Sequence, residues 1–241
     1  MPLHDHFHEP MSRELAWGTL HSSWASDLAR RLNARWLQRP FRAMEHTYAG
    51  AGLEIDIATM QREDLETVGT NGDSVATLAE VWTAPPALAV EPFDVPEAYE
   101  VRVFEGPADW HLVGAIELVS PGNKDRESKI QAFVTKCAAY LHAGVSVVIV
   151  DVVTSRHVNF HNRLLAHLNI SSALLPDEVS LYASAYRPVE RDGKIELDIW
   201  CEPCRLGADL PTMPLRLTGD LFVPVELELA YMETCRSHGA L

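Results

Sequence analysis

Ile116-Glu117-Leu118-Val119-Ser120-Pro121-Gly122-Asn123-Lys124 is the segment on which the reading of this chain turns. An apolar run from Leu112 to Val119 carries one acid near its end, breaks at a Ser-Pro-Gly turn signal, and leads into a helical pattern. Runs that are apolar on every residue are typical of strands covered on both faces. A carboxylate in such a run is costly without a partner, which makes Glu117 a site candidate.

Working outward, Ile130, Phe133, Val134, Cys137, Ala138 and Leu141 form a helical stripe within Asp125 to Ala143. A second apolar run, Val145 to Val153, follows it. Strand, helix, strand in this order predicts a right-handed crossover between parallel strands. Upstream, Trp17, Leu20, Trp24, Leu28, Leu32 and Trp36 recur at helical spacing, predicting an amphipathic helix from about Leu20 to Leu37 that Pro40 stops. Ala43 to Tyr48 and Leu53 to Thr59 flank Gly50-Ala51-Gly52, the pattern of a hairpin. In its second strand Leu53, Ile55 and Ile57 take one face, which sends Glu54 and Asp56 to the other.

Residues 60 to 110 hold Pro85, Pro86, Pro92 and Pro96 and read as a short helix, Val75 to Val81, followed by an extended surface excursion. Further on, Arg156 to Leu168 has a helical pattern. Val179 to Arg187 and Lys194 to Cys201 predict a hairpin around Arg191-Asp192-Gly193, and Val225 to Cys235 a closing helix. The expected architecture is a single α/β domain over residues 1–241, a mixed sheet flanked by helices, with an irregular insertion at about 60–110 and an additional C-terminal hairpin and helix.

Asp56 and Glu117 on adjacent strands could meet at one end of such a sheet and hold Mg²⁺ or Mn²⁺, which favour oxygen ligands and retain waters. A metal-assisted phosphodiesterase also needs a cation beside the reacting phosphate. Three lysines qualify. Lys129 stands near the helix start and is slightly favoured by geometry, Lys136 lies about 10 Å further along it, and Lys124 sits in the loop before it. The first turn of the helix adds backbone N–H groups suited to a phosphate.

Composition bounds the partners. With 34 acidic against 20 basic residues the net charge is −14, which opposes non-specific association with a polyanion. No stretch reaches the roughly 18 apolar residues of a membrane span, and Met1-Pro2-Leu3-His4-Asp5-His6 lacks the features of a secretory leader. The expectation is a cytoplasmic protein with no membrane partner and nucleic acid as the candidate substrate. Cys137, Cys201, Cys204 and Cys235 are too few for a disulfide framework. Cys201-Glu202-Pro203-Cys204 has the spacing of half a zinc site, with no second pair to complete it. His4, His6 and His8, and the pair His157 and His161, read as structural or surface histidines. Phosphate loops, nucleophile elbows and dinucleotide fingerprints are absent from the sequence.

Glu117 to Lys124, followed by Lys136, Tyr140, Gly144-Val145 and Asp151, resembles the bacterial family known as domain of unknown function 4058, itself similar to the restriction-endonuclease-like PD-(D/E)XK superfamily. The resemblance runs from the N-terminal Pro2-Leu3-His4-Asp5-His6 through Glu54-Ile55-Asp56 to the strand ending at Asp151. It implies a restriction-endonuclease-like fold, Asp56 as the motif aspartate and Glu117 as the motif acid. It also points to Lys136, because nuclease-like relatives place a helix lysine four residues before a tyrosine and eight before a Gly-Val pair. Superfamily members carry the lysine two residues after the acid, and here Val119 occupies that position. The two readings that follow are a nuclease-like phosphodiesterase with a migrated lysine and a non-catalytic binding or scaffold module of the same fold.

Overall fold

The computed structural model describes residues 2–49, 53–62, 82–92 and 110–240. Within its strands the side chains of residues 46–49, 53–58, 60–62, 91–92 and 110 lie outside that description. In chain order the elements are α1 (Met11–Glu14), α2 (Trp17–Arg31), β1 (Phe41–Ala49), β2 (Leu53–Arg62), β3 (Ala89–Pro92), β4 (Trp110–Leu118), α3 (Glu127–His142), β5 (Ser146–Asp151), α4 (Phe160–His167), β6 (Tyr182–Arg191), β7 (Lys194–Pro203), β8 (Thr212–Thr218), β9 (Leu221–Glu226) and α5 (Leu227–Ser237).

Seven strands form one mixed sheet in the order β1-β2-β4-β5-β6-β7-β3. β4 and β5 are the parallel pair, with Ile116 beside Val148 and Leu118 beside Val150, and α3 is the connection between them. β2 runs antiparallel to β4, with Ile57 facing Ile116 and Ala58 facing Ala115.

The unbroken apolar runs of β4 and β5 follow from this central position. Ile116, Leu118, Val148 and Val150 point into a core shared with α2, α5 and the β8–β9 hairpin. Their alternates Ala115, Val119, Val147 and Ile149 point into a second core built with α3 and α4. A strand with an apolar layer on each side has no polar face to alternate with. The result is a three-layer α/β molecule.

Several expectations need adjustment. The α-helix expected to reach Leu37 ends at Arg31 and continues as one π turn, Leu32–Trp36. There Arg31 and the Trp36 indole N–H both reach the Glu226 carboxylate. The hairpin around Asp192-Gly193 forms as β6 and β7 but belongs to the main sheet, and both turn residues have positive φ, 52° and 74°, as a two-residue Asp-Gly hairpin turn requires. A second hairpin, β8–β9, was not expected, and it covers β4, β5 and β6. The closing helix starts at Leu227 rather than Val225, which belongs to β9. The excursion after residue 60 includes an edge strand, β3, paired with β7. The helix expected over Val75 to Val81, and the Gly50 to Gly52 turn, lie outside the described residues.

Candidate functional site

The turn after β4 forms from local side-chain chemistry. Asn123 Oδ1 accepts from the Ser120 backbone N–H at 2.8 Å and from the Ser120 hydroxyl at 2.9 Å. Asn123 and Lys124 donate backbone N–H groups back to Ser120 and Pro121 carbonyls. Proline and glycine here preset the turn geometry. The chain then enters α3 at Glu127, which returns it over the face of the sheet that Glu117 occupies.

Glu117 is 2% exposed. It shares its sheet face with Ile149, its partner in the parallel register, and so faces α3. From that helix Lys136 Nζ reaches Glu117 Oε2 at 2.6 Å. The lysine side chain is 15% exposed and crosses the Phe133 ring at 5.2 Å. A charged hydrogen bond of this length, nearly out of water, is among the stronger polar contacts a protein makes. Tyr140, one turn further along, is buried in the α3 core.

On the other side of β4, the β2 register continued by one residue sets the backbone of Asp56 against that of Glu117. The Asp56 carboxylate itself lies outside the described side chains. Behind β4, His21 Nε2 of α2 lies 3.0 Å from the Leu118 carbonyl, so that nitrogen carries the proton.

The three candidate lysines part company. Lys136 meets Glu117. Lys124 turns inward to Asp151 at the end of β5, Nζ to Oδ1 2.8 Å, with both side chains 0% exposed. Lys129 is exposed in the first turn of α3. Arg126 at the helix cap is also exposed. Lys124 is thus withdrawn from solvent, while Arg126 and Lys129 remain exposed.

Asp151 is the residue that motif reasoning did not select as a functional group. Its signal was present, because the run Ser146–Asp151 ends in an acid just as the β4 run does. Burial pushes its carboxyl up to about 6, while Lys124, the Val153 N–H and Tyr182 pull it down. Burial also lowers Lys124. The phenol of Tyr182 is raised by burial and by the Asp151 charge.

Of the remaining candidates, Cys201, Cys204, His6 and His161 lie in the interior. Cys201 and Cys204 are free and buried, and burial raises both thiols to about 12. His6 is buried between the Leu15 carbonyl and the Tyr231 hydroxyl. His161 is buried between the Tyr186 hydroxyl and the Ala173 carbonyl.

Among the described side chains no group of three or more His, Cys, Asp or Glu residues could hold a metal ion. At this site the described part contributes Glu117, a buried carboxylate with a cation on it, and carboxylate oxygen is the donor that a hard divalent ion takes. Of Asp56, the other expected ligand, only the backbone position is described. Among the described residues no helix is long and apolar enough to cross a membrane. Comparison with family models, with curated proteins and with solved structures gives no match.

Proposed function

We propose that this chain is a Mg²⁺- or Mn²⁺-dependent phosphodiesterase of restriction-endonuclease-like fold acting on nucleic acid, with Asp56 and Glu117 as metal ligands and Lys136 as the assisting cation. The observation that carries this reading is the 2.6 Å contact between Lys136 and the buried Glu117. It supports a lysine delivered to the motif acid from the helix rather than from Val119.

When bound, the ion would supply Lewis-acid neutralisation at a phosphate oxygen and would acidify a water. The chain's own residues do the rest. Lys136 sets its ammonium against the Glu117 carboxylate, the partner that a buried charge requires. Its ammonium, at the border of solvent, can also carry positive charge to a phosphate as negative charge develops there. Arg126 and Lys129, exposed at the start of α3, would meet the flanking phosphates. In this reading Lys124 takes no part in the chemistry, since its ammonium is enclosed with Asp151.

A second reading, a non-catalytic module of the same fold, draws support from the same pair. A buried lysine–glutamate contact neutralises itself and can persist for its structure alone, and the net charge of −14 disfavours polyanions. Titration of Mn²⁺, followed by electron paramagnetic resonance of the free ion, separates the two. The catalytic reading expects one site in the wild type, lost in Asp56→Ala and in Glu117→Gln and weakened little in Lys136→Met, with circular dichroism unchanged. Its second expectation is that Lys136→Met, with metal bound, loses at least ten-fold in hydrolysis of a generic phosphodiester. Absence of a wild-type site, or a site indifferent to both acids, selects the non-catalytic module.

A further inference from the structure

The Lys124–Asp151 pair is the most completely buried pair of opposite charges described in the molecule, and the proposed chemistry does not use it. It joins the loop at 119–126 to the segment that follows β5. Lys124 Nζ contacts Asp151 Oδ1 at 2.8 Å and donates to the Arg156 carbonyl at 3.3 Å. Arg156 reaches back in the opposite sense, its guanidinium 2.8 Å from the Asp125 carboxylate and 3.3 Å from the Asp125 carbonyl. Asp151 Oδ1 also accepts from the Val153 backbone N–H at 3.3 Å. Two consecutive loop residues are thus clamped to one short segment by two side chains pulling in opposite directions.

The place of this clamp gives it a consequence. The loop is the sole covalent link from β4, which carries Glu117, to α3, which carries Lys136. A change in the loop is a change in where α3 starts, and the position of Lys136 over Glu117 depends on that start. An apolar pair could fill the same volume and stabilise the fold equally well, but it would not hold direction. A charge-assisted hydrogen bond fixes distance and orientation together.

We propose that Lys124 and Asp151 are positioning residues, a buried latch that ties the β4–α3 loop to the end of β5 and thereby sets Lys136 against Glu117. Its catalytic consequence rests on the phosphodiesterase reading, while the latch itself does not. Tyr182 and Cys204 stand near enough to Asp151 to feel its charge, so the latch is enclosed from the β6 side as well.

The test compares the wild type with Lys124→Met/Asp151→Asn, which removes both charges and keeps the volume, and with Asp151→Asn alone, which requires no repacking if the double variant does not fold. Two signals are read in the metal-free protein: amide hydrogen exchange across residues 119–126, and the nuclear magnetic resonance positions of Lys136 Nζ and Glu117 Cδ. The latch expects exchange in the loop to accelerate at least ten-fold while α2 and β5 amides keep their wild-type rates. It also expects both resonances to move away from their paired positions. A folded variant with unchanged loop exchange, or with unmoved Lys136 and Glu117 resonances, overturns it. Acceleration spread evenly over all elements would show a loss of global stability instead and overturns it equally. Neither signal involves metal or substrate, so failure of the Mn²⁺ titration leaves the latch intact, and failure of the latch leaves the metal site intact.

Discussion

At the scale of single residues, Asp151 makes the protein's response to acid partly predictable. Burial raises its carboxyl from 3.8 to about 6 against the pull of Lys124. A carboxyl that binds its proton more tightly in the folded state contributes most stability below its unfolded value, and that contribution is lost as pH rises through about 6. Folded wild type should therefore gain on Asp151→Asn as the pH falls from 7 to 4, by on the order of 2 kcal/mol. Urea midpoints of the two proteins at both pH values read the difference. Glu226 opposes this trend in absolute stability: burial would raise it, but the Trp36 N–H and Arg31 hold it below its ordinary value, so its contribution disappears in acid. Comparison with the variant cancels that background. Of the residues in this layer, Glu117 was legible because an acid in an apolar run contradicts its surroundings. Helix geometry alone does not select Lys136 among Lys124, Lys129 and Lys136; the resemblance points to it, and packing decides which lysine meets the acid.

Among elements, the contact of β4 with β8 is the tightest described at a glycine. A Cβ placed on Gly114 would lie 3.0 Å from Leu215 Cδ1 and 3.2 Å from Cγ and Cδ2, and Leu215 is itself fully buried. Gly114→Ala should destabilise the protein by about 1–3 kcal/mol through overpacking. Leu215→Ala alone should cost about 2–5 kcal/mol through the cavity it leaves. Combined, the two should cost less than their sum, because the new methyl occupies part of that cavity. Thermal or urea unfolding of the three variants measures the coupling, and strict additivity would mean that the hairpin does not sit where β4 requires it. A lone glycine in a strand pattern signals a close approach, but nothing local identifies a partner a hundred residues away. The β8–β9 hairpin escaped the sequence reading for a related reason. Pro214 and Pro224 argue against strands, yet the two prolines face each other in a two-stranded ladder whose outer edges need no further pairing.

For the whole molecule, charge sets the scale of any encounter with nucleic acid. The net charge is −14, and of the candidate lysines Lys124 is enclosed and Lys136 is engaged by the acid. Arg126 and Lys129 are exposed and would be the phosphate contacts in the phosphodiesterase reading. Two contacts correspond to a log–log salt slope no steeper than about −2 on duplex DNA. Binding of a labelled oligonucleotide, measured by anisotropy between 50 and 200 mM salt as the commonly used range, should therefore be weak and shallow in its salt dependence. Addition of Mn²⁺ should strengthen it, because a bound cation adds the charge the surface lacks. A steep slope without metal would place a basic surface elsewhere on the molecule.

The sequence by itself determined the class of the fold and its central unit. Two fully apolar runs separated by an amphipathic helix admit few arrangements, since each run must be covered on both faces and the helix must bury its stripe. It also marked Glu117, because the cost of burying a charge is a local property that a pattern can reveal. Tertiary structure decided the pairings. Which lysine meets Glu117, which one disappears with Asp151, and which hairpin lies over Gly114 depend on contacts between segments far apart in the chain. Those contacts are chosen by shape and by the direction of a few charged hydrogen bonds, and neither is encoded in the hydrophobic period from which the elements were read.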